Sequence, residues 1–179
     1  QFDAFLVKFN PAGVRIWSTY YGGLSYDIAT NCVVDNNSNV YIIGNTSSNN
    51  NIASSGSFQT TYNGGNYDAF LVKFDSGGVR QWATYYGGTG TEDFPYCTKD
   101  ANNNIYLSGF TNSDSAIAST GSYQSVYAGG GDVYLVKFDQ NGIRQWATYY
   151  GGIYIDAAIT CTVDLTKNVY VAGYTGSNA

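Results

Sequence analysis

Asp68-Ala-Phe-Leu-Val-Lys-Phe-Asp75 is the stretch that decides the reading of this chain, because it is written three times. Asp3-Ala-Phe-Leu-Val-Lys-Phe-Asn10 precedes it by 65 residues, and Asp132-Val-Tyr-Leu-Val-Lys-Phe-Asp139 follows it by 64. Working outward, Trp17, Trp82 and Trp146 keep the same step, as do three Tyr-Tyr-Gly-Gly strings and Cys32, Cys97 and Cys161. Asn39-Val-Tyr-Ile-Ile-Gly44, Asn104-Ile-Tyr-Leu-Ser-Gly109 and Asn168-Val-Tyr-Val-Ala-Gly173 close each copy. A period this regular marks a repeat architecture, in which one supersecondary unit is stacked on its neighbours.

Each copy contains four short runs rich in Val, Ile, Phe, Tyr, Trp and Thr, which in the middle copy cover about 68–74, 79–86, 95–100 and 104–110. Pro11-Ala-Gly13, Ser76-Gly-Gly78 and Gln140-Asn-Gly142 supply tight turns between the first two runs. Asp100-Ala-Asn-Asn-Asn104 supplies another, stabilised by Asx side chains. Phe70-Leu71-Val72 lacks in–out alternation, so this strand is expected to be covered on both faces. The pattern predicts an all-β chain: a β-propeller of four-stranded antiparallel blades, about three repeats of 64–65 residues, in an open or incomplete ring.

The strings Asp-Ala-Phe-Leu-Val-Lys-Phe, Trp-Ala-Thr-Tyr-Tyr-Gly-Gly and Asp-x-x-x-Asn-Val-Tyr-x-x-Gly-x-Thr resemble the SBBP-type β-propeller repeat of bacterial secreted and surface proteins. The resemblance implies blades whose innermost strand carries the Cys and whose outermost carries the Trp. In that order, 3–22 is an outer half-blade, 27–88 and 93–152 are blades, and 156–175 is an inner half-blade, all within one repeat array, 1–179. Three blades are fewer than the about four to eight of a closed ring. Either further repeats flank the segment, or copies complete each other's split blades as a ring or filament. Gln1 and the lack of Met are read as a processed or excised chain.

Composition narrows the function. The chain holds no His, which removes imidazole chemistry, and its net charge of −5 argues against a nucleic-acid partner. No apolar run approaches the about 18 residues of a membrane helix. Asp35, Asn37 and Asn39, with Asp100, Asn102 and Asn104, have the oxygen spacing of a calcium loop, but lack its later Glu and read first as Asx hairpins. Asp27, Asp93 and Asp156 open the inner strands, either as channel-mouth carboxylates or as turn caps. Lys and Arg recurring beside Asp3, Asp68 and Asp132 are expected to form cross-strand ion pairs. The three thiols are expected to be free and buried. Asn36 and Asn45 match the N-glycosylation sequon, and Ser115 resembles an O-glycosylation site.

A group repeated in every blade suits a scaffold better than a catalyst, so neither a reaction nor a cofactor is expected. The expected role is a non-catalytic structural or protein-interaction segment, extracellular or at the cell surface, whose partners are itself or neighbouring propeller repeats. The alternatives are a carbohydrate-binding propeller that takes glycans through its Tyr and Asn faces, and the subunit of an extracellular filament.

Overall fold

The computed structural model describes residues 2–178, and every regular element among them is a strand. Twelve strands follow in order: β1 Ala4–Phe9, β2 Arg15–Tyr21, β3 Asp27–Val34, β4 Val40–Thr46, β5 Asp68–Phe74, β6 Arg80–Tyr86, β7 Glu92–Lys99, β8 Ile105–Thr111, β9 Asp132–Phe138, β10 Arg144–Tyr150, β11 Asp156–Val163 and β12 Val169–Thr175. They form two four-stranded antiparallel sheets, β3-β4-β5-β6 and β7-β8-β9-β10. A two-stranded sheet stands at each end of the array, β1-β2 and β11-β12. The propeller architecture read from the repeat is the one the chain adopts, as unclosed blades.

The hairpins form because a side chain holds each turn. Asp75 Oδ1 accepts the backbone N–H groups of Gly77 and Val79 at 2.9 and 3.0 Å, and Asn10 and Asp139 act alike in the other copies. Gly78 lies at φ +85°, left-handed backbone that glycine adopts without steric cost. The inner hairpins put Ser38, Asn103 and Lys167 in that region instead, at φ 63°, 63° and 72°.

A bulge kinks each inner strand, between Ala29 and Asn31, Asp93 and Tyr96, and Ala158 and Thr160. Opposite the first, a Cβ on Gly44 would sit 1.9 Å from the Ile28 carbonyl oxygen, so only glycine fits there. In β7 the extra chain is larger and includes Pro95, whose missing N–H a bulge tolerates.

Sheets pack face to face, and the burial along equivalent strands shows it. β4 and β5 are buried almost throughout, because sheets cover both their faces. β12 matches β4 in sequence position yet is exposed along nearly its whole length. One core, including Leu71, Tyr86, Leu107, Tyr134 and Phe138, joins the two full sheets. Another, including Tyr21, Ile42, Phe70 and Phe74, joins β1-β2 to the first full sheet.

Tyr134 occupies the place held by Phe70 one repeat earlier, and its hydroxyl is buried with no hydrogen-bond partner among the described residues. Removing an unsatisfied buried hydroxyl relieves a desolvation cost of about 1 kcal/mol. Tyr134→Phe is therefore expected to raise the thermal midpoint by about 2–4 °C. A lowered midpoint in a calorimetric scan would show that the hydroxyl has a partner.

Candidate functional site

The side chains with the most chemistry lie at the seams between successive sheets. β3, β7 and β11 each begin with a carboxylate, and these are Asp27, Glu92 and Asp156. The middle member is thus Glu92 and not Asp93, a one-residue correction to the series read from sequence. Asp93 falls inside the β7 bulge, half-buried, and accepts the N–H of Phe94. The constant step of 65 from Asp27 leads to position 92, and a focus on Asp as the residue type hides it.

These carboxylates are buried clamps. Asp27 Oδ1 accepts the Thr46 hydroxyl at 2.5 Å, while Oδ2 accepts Ser48 Oγ at 2.8 Å and the Gly23 N–H at 2.7 Å. Glu92 Oε1 accepts Thr111 and Ser113 hydroxyls at 2.6 and 2.7 Å, and Oε2 accepts the Gly88 N–H at 3.1 Å. Asp156 takes Gly152 N–H and Ser177 Oγ at 2.7 and 2.9 Å. All three are almost fully shielded from solvent, so they do not form an open ring of carboxylates at a channel mouth.

A second carboxylate meets each clamp. Asp68 Oδ1 and Glu92 Oε2 both come within 2.7 Å of the point where a Cβ would stand on Gly87. Asp132 with Asp156, over Gly151, and Asp3 with Asp27, over Gly22, repeat the arrangement. The first Gly of each Tyr-Tyr-Gly-Gly string is therefore required by close approach. Asp68 Oδ1 and Asp132 Oδ1 are buried without a hydrogen-bond partner among the described residues. Burial pushes the Asp68 carboxyl up to about 7, and the nearby Glu92 charge adds to the effect. Burial likewise pushes Glu92 up to about 7, although Thr111, Ser113 and Gly88 act in the opposite direction.

The other residues singled out in the sequence serve turns or seams. Asp35 Oδ1 accepts N–H groups of Asn37 and Asn39 at 2.8 Å each, and Oδ2 accepts Asn39 Nδ2 at 2.8 Å. Asp100 repeats this with Asn102 and Asn104. Asn39 and Asn104 thus present donors to the carboxylate, where a calcium ligand would present oxygen. Burial pushes Asp35 and Asp100 up, but these hydrogen bonds outweigh it and hold both below the usual range. Asp164 is held low by its bond from Asn168.

Asn36 is exposed, and its amide spans to the next inner hairpin by donating to the Ala101 carbonyl. Ser115 is exposed as well. Asn45 lies buried in β4 and donates to the Glu92 carbonyl at 2.7 Å, so its amide is committed to the seam and closed to a glycan. Cys97 and Cys161 are free and buried, while Cys32 is free and exposed. The strand carrying Cys32 has no inner strands beside it on the side that β3 covers for Cys97.

Among the described residues the cations do not pair with Asp3, Asp68 or Asp132 as expected. Lys73 and Lys137 lie over the rings of Tyr41 and Tyr106, and Arg144 over Phe58. Lys8 and Lys73 donate instead to hairpin carbonyls of the next sheet, Ser76 and Gln140. The same carbonyls accept the indole N–H groups of Trp17 and Trp82 at 3.1 and 3.2 Å. This Trp–Lys–carbonyl clasp is the seam feature least visible in sequence, since each partner alone reads as a surface residue.

Stacked four-stranded sheets joined by identical seams define a propeller-type repeat protein. Residues 16–51 match the family model described as SBBP, beta-propeller repeat. The chain is also similar to an uncharacterized WD repeat-containing protein of Acanthamoeba polyphaga mimivirus, 27% identical over 168 residues. That alignment covers 84% of this chain and 12% of the relative, so the chain spans a small part of the relative's length.

The carboxylate pairs set the pH dependence of stability. Folded Asp68 and Glu92 hold protons up to about pH 7, whereas the unfolded chain releases them near pH 4. The folded state binds more protons over that interval, so stability falls as pH rises through it. Asp35, Asp100 and Asp164 work in the opposite sense, but only at more acid pH. The midpoint at pH 5 is expected to exceed that at pH 8 by on the order of 5 °C. Asp68→Asn, which turns an amide donor toward Glu92, should narrow this gap. A wild-type midpoint that climbs from pH 5 to pH 8 would contradict the assignment.

Proposed function

We propose that this chain is a non-catalytic structural and protein-interaction segment of a β-propeller, belonging to a secreted or cell-surface protein as the repeat resemblance implies. The observation that carries this reading is the placement of the polar groups. The carboxylates that recur at the seams and hairpins serve turns and clamps, while β1 and β12 each keep one backbone edge unpaired among the described residues. Unpaired strand edges are templates for adding another strand. The WD-repeat name of the mimivirus relative supports an interaction role of the same kind.

On this reading β12 accepts a strand of the β5 type, because β4 pairs with β5 from Val40↔Phe74 to Thr46↔Asp68. A synthetic hairpin of residues 3–22, added to the protein at increasing concentration, should protect the amides of 169–175 from hydrogen exchange. The same peptide with Val7→Pro lacks a ladder donor and should protect them far less. Absence of protection at millimolar peptide would overturn the reading.

A further inference from the structure

β6 and β10 are the outward strands of the two full sheets, so each has a backbone edge with no strand beside it. Those edges are nevertheless occupied. Ile52-Ala-Ser-Ser-Gly-Ser-Phe-Gln59 and Ile117-Ala-Ser-Thr-Gly-Ser-Tyr-Gln124 are one string written in both connections, and each lies along the edge of its own sheet. The Ser54 N–H donates to the Ala83 carbonyl at 2.9 Å, and the Ala83 N–H donates to Ser54 Oγ at 3.0 Å. At the next outward residue of β6, the Tyr85 N–H donates to the Gln59 carbonyl at 3.1 Å. Ser119 and Gln124 repeat these three bonds on Ala147 and Tyr149, at 2.9, 2.8 and 3.0 Å.

The string grips the edge twice and loops away between the grips. The Ser57 N–H closes a turn on the Ser54 carbonyl at 3.2 Å, and Ser122 closes the same turn on Ser119. Gly56 and Gly121 stand there in left-handed backbone, at φ +76° and +74°, facing open space. An extended segment in this place would continue the ladder and present a fresh edge of its own; the looped turn ends it. The flanks are fixed. Ile52 and Ile117 are fully buried. Gln59 Oε1 accepts the Gly87 N–H and Nε2 donates to Asp68 Oδ2, both at 3.0 Å. Gln124 does the same with Gly151 and Asp132, at 3.0 and 2.8 Å.

We propose that the outward edges of β6 and β10 are strand-accepting sites that the chain's own connections keep closed. Each string is an intramolecular guard, seated where an extended peptide with Ser and, five residues on, Gln would otherwise pair. The proposal rests on the strand-addition chemistry of the preceding reading but places it on edges inside the array. Ser and Gln are kept at the gripping positions, while Ser55 gives way to Thr120 and Phe58 to Tyr123. An uncovered edge is a template for unwanted pairing, and a loop over it removes the hazard. A guard tethered at both ends also outcompetes a free peptide through its effective concentration.

Ser54→Ala with Gln59→Ala removes the side-chain grips and leaves the core residues of the sheet unchanged. In this variant the Ala83 and Tyr85 amides should exchange hydrogen about tenfold faster, while the amides of β8 keep their wild-type rates. A synthetic peptide of residues 52–59 at millimolar concentration should restore protection in the variant and leave the wild type unaffected. The same peptide with Ser54→Pro lacks the N–H that meets Ala83 and should not restore it. Ser54→Ala alone should speed Ala83 and spare Tyr85, which keeps the test decisive if the double variant does not fold. Unchanged exchange at Ala83 overturns the proposal. So does β8 loosening in step with β6, or a peptide that restores nothing. If the 3–22 hairpin protects β12 while the 52–59 peptide leaves β6 open, strand addition stands and the guard falls. Rescue at β6 without protection of β12 keeps the guard and sinks the β12 reading.

Discussion

The structure depends on one repeated contact, the seam at which each sheet grips the turn of the next. An indole N–H and a lysine ammonium converge on one hairpin carbonyl, and the indole face lies against a glycine of that turn. Below it, a tyrosine ring packs between two aromatic rings, and its hydroxyl reaches a connection carbonyl, as Tyr21 does with Ile52 at 2.8 Å and Tyr86 with Ile117 at 3.0 Å. Deepest in the seam, the carboxylate that starts each inner strand collects a hydroxyl from the neighbouring strand and an N–H from the preceding Gly-Gly. The strand-opening N–H groups of Asp27 and Glu92 bind carbonyls of Phe2 and Tyr67 in turn. A sheet here is stable because both neighbours complete it.

That dependence explains why residues with equal roles in sequence have unequal fates. β4 and β12 share the Val-Tyr-x-x-Gly pattern, yet β4 is core and β12 is surface, because only β4 has sheets on both sides. Cys32 and Cys97 differ for the same reason. It also explains the buried acids. Among the described residues no cation pairs with Asp68 and Glu92, and the repeated Lys8, Lys73 and Lys137 are committed to aromatic faces or hairpin carbonyls. Shedding the charge by holding a proton is then the physical response to burial.

Much of the fold was legible in the sequence because the repeat carries it. Three copies of one string, with turn residues at constant offsets, dictate four strands per unit and buried faces on the central pair. Single residues were less legible where local geometry breaks the count. The β7 bulge separates Asp93 from the clamp position that Glu92 occupies. The Asn45 sequon sits on a buried strand, which a three-residue motif cannot register. The expected ion pairs at Lys73 and Lys137 gave way to cation–π contacts, because the nearest acids turn inward to the Gly-Gly and the tyrosine faces lie under the lysine stems. The clasp of Trp82 on Gln140 spans 58 residues and involves a carbonyl, which no side-chain pattern reveals.

The seam account is tested most directly by comparing Trp82→Phe with Trp146→Phe in thermal unfolding. Each substitution trims the same ring against an equivalent tyrosine, Tyr41 or Tyr106, at 6.0 and 6.1 Å. Only Trp82 also grips a following hairpin within the chain. The account requires Trp82→Phe to lower the midpoint by several degrees more than Trp146→Phe, since a lost hydrogen bond and its packing amount to about 1–2 kcal/mol. Equal losses from the two substitutions would contradict it, because they would show that the sheets do not depend on the clasp between neighbours.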